Sequence, residues 1–253
     1  MTLSNTVRLV VVDDDDRLGA AAADAVLDRL PTRRPKLGIA TGGTPIPLYR
    51  ELARRARSAE IDLRTAFLIA LDEYVGIGAD DPRSYAAYVR REVAAPLGIE
   101  GRNILVPDGL AADPDAEAAA FEDHIVAVGG VDVQVAGIGS NGHLAFNEPG
   151  SELMSTTRAV TLSAQTRNDN ARFFGADSEV PRQAITQGLG TIFRARSIVL
   201  LANGAAKAAA LAAALGGPVC TAVPASVLQR HPAVTVIADR AAASELTTPG
   251  APL

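Results

Sequence analysis

The sequence predicts an α/β protein with a doubly wound, mostly parallel sheet and helices on both faces. Short apolar segments alternate with longer helical patterns along most of the 253 residues. Several of these segments are apolar at every position, which is typical of parallel strands covered on both faces. Strands separated by helices assemble into layered α/β structures. A chain of this length can bury a large core, so we expect one domain over residues 1–253.

In the first half of the chain, five apolar runs are predicted as strands. They are VRLVVV (7–12), KLGIAT (36–41), TAFLIAL (65–71), NILVP (103–107) and VDVQVAG (131–137). The segments between them predict helices over 17–30, 45–59, 83–97 and 113–128. Start signals support two of these helices, because Pro45 suits a first helical position and Asp113 precedes a proline.

The second half of the chain follows the alternation less closely. Strands are predicted at TRAVTLS (157–163), SIVLLANG (197–204) and AVTVIAD (233–239), and helices at 164–174, 205–216 and 222–232. Residues 140–195 fit worst, and local misfit in such a fold is expected where the function lies. The tail LTTPGAPL (246–253) is expected to be loose.

Composition and charge argue against several classes of protein. The net charge of −5 argues against nucleic acid or an anionic membrane as the main partner. Cys220 is the only cysteine, and its apolar neighbours favour a buried residue over a reactive thiol. No apolar run reaches the ~18 residues of a membrane span, and no secretion signal is evident at the start. We therefore expect a cytoplasmic protein.

The run DDDD (13–16) raises the question of a metal site. It also lies between a predicted strand and a predicted helix, where acidic side chains interact favourably with the helix dipole. We interpret it as a helix start.

A dinucleotide fingerprint is one interpretation of the glycines at 137, 139 and 142, and we reject it. The fingerprint needs a helix directly after the third glycine and an acid about 20 residues on. Here HLAFNEPG (143–150) follows, which ends in a Pro-Gly turn, and no acid lies between Glu152 and Asp169.

The better phosphate candidate is the segment ATGGTPIPLYREL (40–52). Gly42 and Gly43 allow a close approach of the backbone to a ligand, Thr44 can cap the helix, and Pro45 suits its first position. Free N–H groups at a helix start bind anions. An ordinary strand–helix turn remains the alternative.

Asp72 follows an apolar strand directly. In a parallel sheet the carboxyl ends of the strands line the ligand crevice, so this carboxylate is well placed to move a proton. Glu73 and Tyr74 are candidates for packing or salt-bridge roles.

His143 follows another predicted strand, close to Asn141 and Glu148. Alone it could be an ordinary turn residue. A glutamate that holds the imidazole would stabilise its charged form and make the ring a usable base and then acid. The other two histidines, His124 and His231, are expected at the surface.

With these segments the chain resembles the glucosamine-6-phosphate deaminase family. The resemblance is carried by TGGTP (41–45), LDEYVG (71–76) and GIGSNGHLAFNEPG (137–150), with TRNDNARFF (166–174) and AITQGLGTI (184–192) in addition. It implies a Rossmann-like fold and no metal or organic cofactor. The reaction it implies converts glucosamine 6-phosphate and water to fructose 6-phosphate and ammonia.

The resemblance also implies a division of roles. His143 would open the sugar ring, Glu148 would orient and charge His143, and Asp72 would carry a proton from C2 to C1. The phosphate would be bound by Gly42, Gly43, Thr44, Arg172 and Lys207.

Two departures from the family are visible. Many members have aspartate where this chain has Asn141, whose amide cannot accept a proton, so we expect it to orient a neighbour or the substrate. Some members are activated by N-acetylglucosamine 6-phosphate at a subunit interface. Ser151 and Arg158 match that site, but Val160 replaces the expected lysine and the C-terminal tyrosine is missing. We expect weak or absent activation.

Residues 160–185 fit the alternation poorly and include Arg172. They are predicted to form a lid that closes on the phosphate.

Two other functions remain open. A 6-phosphogluconolactonase, which resembles this fold, would use the histidine for hydrolysis. A non-catalytic sugar-phosphate sensor would keep the pocket without turnover. A homo-oligomer is also compatible with the sequence, because the family includes monomers and larger assemblies.

Overall fold

The computed structural model describes residues 7–175 and 179–246. Its strands are β1 Val7–Val12, β2 Lys36–Ile39, β3 Phe67–Ala70, β4 Asp72–Tyr74, β5 Ile104–Leu105, β6 Val133–Gly137, β7 Arg158–Thr161, β8 Gln183–Thr186, β9 Ser197–Ala202 and β10 Val234–Asp239. Its α-helices are α1 Asp15–Leu27, α2 Ile46–Arg57, α3 Tyr85–Tyr88, α4 Ala95–Leu97, α5 Pro114–Ala127, α6 Ala164–Asn170, α7 Leu189–Phe193 and α8 Ala208–Gly216.

Seven parallel strands form the central sheet, in the order β1-β10-β9-β6-β2-β3-β5. Strand β9 is buried at all six positions, and helices surround the sheet. The order reverses between β6 and β2, which is the point where α/β sheets of this kind bind ligands. The predicted fold class is confirmed.

A second sheet of three antiparallel strands, in the order β4-β8-β7, was not predicted. Only Leu71 separates β3 from β4, and all three residues of β4 are buried. The sequence therefore contains no turn signal between these two strands. Next to this sheet lies a small apolar cluster, whose buried members are Tyr74, Ile77, Phe146, Leu162, Phe174, Val180 and Ala184.

Two predicted helices differ from regular α-helices. The helix expected at 83–97 contains a π-helical stretch, Val89–Ala94, between α3 and α4. The helix expected at 222–232 is a 3-10 helix, Pro224–Arg230. Its Ala225 N–H donates to the carbonyl of Gly142, 2.9 Å away, which docks this turn against the loop after β6.

The acidic run DDDD (13–16) lies at the start of a helix, as predicted. Asp14 caps α1 by accepting from the N–H of Arg17, and Asp15 and Asp16 occupy the first turn. Among residues 7–175 and 179–246, no group of three or more His, Cys, Asp or Glu side chains could hold a metal ion.

The prediction for His231 was wrong, because this side chain is buried. Its Nε2 lies 2.8 Å from the carbonyl of Ala195, and its Nδ1 accepts from the N–H of Ala233. His124 lies in the exposed part of α5. Within the described parts of the chain, no helix has both the length and the apolar character that a membrane crossing requires. The tail predicted to be loose lies, apart from Leu246, outside the described residues.

Candidate active site

A cavity of about 460 Å³ opens at the carboxyl ends of β2, β3 and β6. Seven of the nine predicted site residues line it: Gly42, Gly43, Thr44, Asp72, His143, Arg172 and Lys207. Asn141 and Glu148 are not in its wall, and they reach the cavity through His143. The central sheet thus brings together side chains from distant parts of the chain.

Gly42, Gly43 and Thr44 form the turn between β2 and α2, which we call the anion loop. Gly42 has a φ of +92°, a backbone conformation that favours glycine. No side chain caps α2, because its first flanking residue is Pro45. Thr44 does not cap the helix as expected; its hydroxyl donates to Oδ1 of Asn203, 2.8 Å away. In the described chain, no protein acceptor takes the N–H groups of the anion loop.

Two cationic side chains, Arg172 and Lys207, line the same cavity. Burial lowers the pKa of Lys207, the carboxylate of Asp169 raises it, and the nearby charge of Arg172 lowers it further. Two cationic side chains in one cavity attract an anion, and a phosphate is the anion expected beside a helix start.

Asp72 is the first residue of β4 and is 5% exposed. Burial raises the pKa of Asp72 well above its ordinary value, and the neighbouring charge of Glu73 raises it further. A carboxyl group with a raised pKa in a cavity is a good candidate for proton transfer.

Glu73 has a different task from Asp72. Its carboxylate accepts from the N–H groups of Tyr74 and Tyr85 at 2.8 and 3.0 Å and from that of Ala86 at 2.9 Å. Burial raises the pKa of Glu73 to about 7, against the opposing effect of these three bonds. The carboxylate therefore anchors the start of α3 to β4.

The His143 ring packs directly over Gly139. A Cβ at position 139 would lie 2.3 Å from Cε1 and Nε2 of the ring, so only glycine fits there. Nδ1 of His143 is buried without a hydrogen-bond partner, and Oε2 of Glu148 lies 4.0 Å away.

The charge of His143 differs from the expectation. Burial lowers the pKa of His143, and the nearby charge of Lys207 acts in the same direction. The carboxylates of Glu148 and Asp169 oppose this change but do not overcome it. The surroundings of the ring therefore favour a neutral imidazole, which can accept a proton.

Glu148 is surrounded by hydrogen-bond donors. Asn141 Nδ2 donates to its Oε2 at 2.8 Å, and Ser163 Oγ donates to its Oε1 at 3.0 Å. Thr166 Oγ1 also donates to Oε1. Although burial disfavours the charged form, these bonds and His143 lower the pKa of Glu148, so it stays ionised. The bond from Asn141 is compatible with its predicted role, to orient a neighbour or the substrate, which stays a prediction.

The loop that carries His143 and Glu148 is held in a strained conformation. Ala145 lines the cavity with a φ of +52°, which costs roughly 1–2 kcal/mol for a residue other than glycine. Asn147 stabilises the loop, since its Nδ2 donates to the carbonyls of Leu144 and Gln187 at 3.0 and 2.8 Å. Its Oδ1 accepts from Arg158 at 2.9 Å.

The residues that match the family's effector site form contacts with other residues of this chain. The guanidinium of Arg158 donates to Ser155 Oγ at 3.2 Å and Ser151 Oγ at 3.3 Å in addition to Asn147. Val160 packs against the small apolar cluster of the second sheet.

Several lining residues were not predicted from the sequence. Tyr85, Tyr88, Thr166 and Asp169 face the same cavity. Thr166 and Asp169 lie in the segment TRNDNARFF, in which only Arg172 was predicted as a site residue. Tyr88 was predicted only as part of a helix, and nothing in the pattern marks its hydroxyl.

Comparison with known proteins gives consistent results. The family model of glucosamine-6-phosphate isomerases and 6-phosphogluconolactonases matches residues 8–237. The chain is 51% identical over 242 residues to a glucosamine-6-phosphate deaminase from Cutibacterium acnes, covering 95% of this chain and 93% of that protein. A glucosamine-6-phosphate deaminase from Streptomyces coelicolor is 50% identical over 243 residues, with 95% and 93% covered.

Two solved structures show the same architecture. A monomeric glucosamine-6-phosphate deaminase superposes with a TM-score of 0.91 at 37% identity, covering 94% of this chain and 99% of that one. A 6-phosphogluconolactonase from Trypanosoma cruzi superposes with a TM-score of 0.80 at 20% identity, covering 98% and 99%. At 20% identity the likeness concerns the fold alone.

Proposed function

Since the chain belongs to the family of glucosamine-6-phosphate isomerases and 6-phosphogluconolactonases, we propose that the residues of its cavity catalyse a reaction of an amino sugar phosphate. The chain is a glucosamine-6-phosphate deaminase: glucosamine 6-phosphate and water give fructose 6-phosphate and ammonia. The observation that carries the assignment of roles is the single cavity shared by Asp72, His143 and the anion loop.

The phosphate binds at one end of this cavity. The free N–H groups of the anion loop donate to its oxygens, and Arg172 and Lys207 supply positive charge. Binding energy at this end holds the reacting carbons in place at the other end.

His143 opens the sugar ring. Its neutral imidazole accepts the proton of the C1 hydroxyl, and the resulting imidazolium returns a proton to the ring oxygen as the C1–O5 bond breaks. The imidazolium forms 4.0 Å from the ionised Glu148, which stabilises the charge that develops on the ring.

Asp72 then carries out the isomerisation. Its carboxylate removes the proton from C2 and delivers it to C1, through an enediol-like intermediate that carries the amine. The C1 oxygen gains the proton that the substrate's ammonium group loses, so the product is an iminium at C2, which water hydrolyses to the ketone and ammonium. The raised pKa of Asp72 makes it a strong enough base, and the ammonium group of the substrate favours its ionised form.

The two rivals make different predictions. The hydrolytic rival, 6-phosphogluconolactonase, is a distant structural relative only. A silent sensor would bind the sugar phosphate without turnover. The ionised Glu148 next to a neutral His143, with Asp72 in the same cavity, favours turnover.

An assay of ammonia release from glucosamine 6-phosphate tests the function. The unmodified enzyme should release ammonia and leave 6-phosphogluconolactone intact. Asp72→Asn should lose activity by about 10²–10⁴-fold while it still binds inorganic phosphate. Loss of the lactone without ammonia would favour the hydrolase, and binding without ammonia would favour the sensor.

We also propose that N-acetylglucosamine 6-phosphate activates this enzyme weakly or not at all. Arg158 is already occupied by Asn147, Ser151 and Ser155, and Val160 offers no positive charge. The rate should follow a hyperbolic dependence on substrate with or without the effector. A sigmoidal curve that the effector makes hyperbolic would contradict this prediction.

A further inference from the structure

The anion loop is held by two side chains that belong to neither the loop nor α2. Tyr88 Oη donates to the carbonyl of Gly42 at 2.7 Å. On the other side, Thr44 Oγ1 donates to Asn203 Oδ1 at 2.8 Å. The first bond comes from the last residue of α3, and the second leads to the end of β9.

The turn itself contributes a bond from the N–H of Ile46 to the carbonyl of Gly43 at 3.2 Å, and the loop needs support beyond it. It contains two adjacent glycines, whose backbones lose much entropy when they are ordered. A Cβ at either glycine would meet no atom within 4 Å, so both glycines face open space on the side where a side chain would lie. Its N–H groups point at no protein acceptor in the described parts of the chain.

The Tyr88 hydroxyl is well suited to hold the loop. Burial raises the pKa of Tyr88, so its hydroxyl remains a donor at all ordinary pH values. The helix that carries it is anchored at its start by Glu73, next to Asp72. The carbonyl of Gly42 is thereby fixed relative to the reacting end of the cavity, and the peptide N–H groups on either side of it acquire a defined direction.

Asn203 supports the loop from the side on which Lys207 lies. It immediately precedes the turn Gly204–Lys207, whose Gly204 N–H donates to Asp239 Oδ2 at 2.8 Å. Nδ2 of Asn203 also lies 3.4 Å from Asp15 Oδ1. The Thr44–Asn203 bond therefore joins the donor half of the anion site to the half that supplies Lys207.

We propose that Tyr88 and Asn203 are positioning residues that hold the anion loop in its phosphate-binding conformation. Neither side chain needs to touch the substrate for this role. The inference rests on the proposed function only in taking phosphate as the ligand of the loop. Loss of either bond should weaken phosphate binding and leave the proton transfers at C1 and C2 intact.

The test measures the Kd of inorganic phosphate by calorimetry and the KM and kcat for glucosamine 6-phosphate. Tyr88→Phe and Asn203→Ala should each raise the Kd and KM by about 3- to 10-fold, the effect of one neutral hydrogen bond. The kcat should change less than twofold. Tyr49→Phe is the matched control, because Tyr49 Oη donates to the carbonyl of Ala40 at 2.7 Å, outside the loop. It should lower the melting temperature without changing the phosphate Kd.

A double-mutant cycle separates positioning from general damage. If Thr44 and Asn203 act through one bond, the second substitution should add nothing to the first. The double variant Thr44→Val/Asn203→Ala should then have the same phosphate Kd as the single variant that binds phosphate more weakly. Unchanged phosphate Kd in Tyr88→Phe and Asn203→Ala would overturn the proposal, as would additive losses in the cycle or a fall in kcat at constant KM. Expected phosphate effects in an enzyme that releases no ammonia would support this proposal and overturn the function.

Discussion

Burial decides the charge of His143 more than its carboxylate partner does. Asn141 holds Glu148 Oε2 at 2.8 Å, and the imidazole Nδ1 is left 4.0 Å from that oxygen without a partner. In the mechanism that we propose, the ring is therefore neutral before it accepts a proton, and the ionised Glu148 stabilises it afterwards. An amide at position 141 is sufficient for this arrangement, because it donates a hydrogen bond to Glu148 and does not have to accept a proton.

His143→Gln should affect ring opening selectively. With glucosamine 6-phosphate we expect a loss of about 10²–10⁴-fold in kcat, since glutamine cannot move a proton. An analogue that lacks the C5 hydroxyl, and so cannot form the six-membered ring, should lose much less. Ammonia release from both compounds is the measurement. An equal loss on both would remove His143 from ring opening.

Lys207 should set the alkaline limit of substrate binding. Burial lowers its pKa, and only the protonated form attracts phosphate, so KM should rise as pH rises through this lowered pKa. Arginine stays charged to much higher pH. Lys207→Arg should therefore move the alkaline rise in KM to higher pH. An alkaline limb at the same pH in both proteins would assign that limb to another group.

At this scale the sequence pointed to the charged candidates but gave no sign of the side chains that we propose position the anion loop. Asp72 and His143 follow apolar strands, so their arrival at one sheet edge could be inferred from the strand pattern. Tyr88 and Asn203 act through neutral hydrogen bonds to residues more than 40 positions away in the chain. No local spacing or composition signals such a contact.

The second sheet shows what the alternation of apolar and helical segments in the sequence cannot reveal about the strands. β4 and β8 are short and antiparallel, and β4 directly extends a parallel strand. A run of apolar residues looks the same whether the chain stays in one sheet or passes into another. The consequence is functional, because Asp72 lies at the point where the chain leaves the central sheet.

The predicted lid remains a proposal, and the structure suggests its extent. Residues 160–185 include parts of β7 and β8, and 176–178 lie outside the described residues. The segment that faces the cavity is α6 with the turn Ala171–Phe173. Because Ser163 and Thr166 donate to Glu148, closure of this segment would also orient the carboxylate behind His143.

Trypsin cleavage offers a test of the lid. A substrate-like inhibitor should slow cleavage after Arg167 and Arg172 by at least about 3-fold, because a closed lid opens less often. Cleavage after Arg33, in the exposed connection between α1 and β2, should not change. Equal rates at Arg167 and Arg172 with and without the inhibitor would count against the lid.

At the scale of the whole molecule, residues 7–175 and 179–246 form two apolar clusters, and we propose that these unfold together as one domain. Gln187 joins the two sheets, since its Nε2 donates to the carbonyl of Ala70 at 2.8 Å and its N–H to that of Leu71 at 2.7 Å. A buried connection of this kind leaves unpaired polar groups if one sheet opens alone.

Hydrogen exchange should show this cooperativity. The buried amides of Leu200 in β9 and Ile185 in β8 should exchange with the same free energy, that of global unfolding. Gln187→Ala should reduce it by about 1–3 kcal/mol. A clearly smaller free energy for Ile185 than for Leu200 in the unmodified protein would mean that the second sheet opens independently.

The order of strands at one edge of the central sheet has a consequence for synthesis. Among the strands of the described residues, β1 lies at the edge and pairs with β10, so Val7 lies beside Val234. On the ribosome, β1 must therefore wait until β10 has been synthesised before it finds this neighbour. Until then its apolar face is a surface that chaperones could bind, and translational pauses anywhere upstream of β10 prolong that exposure.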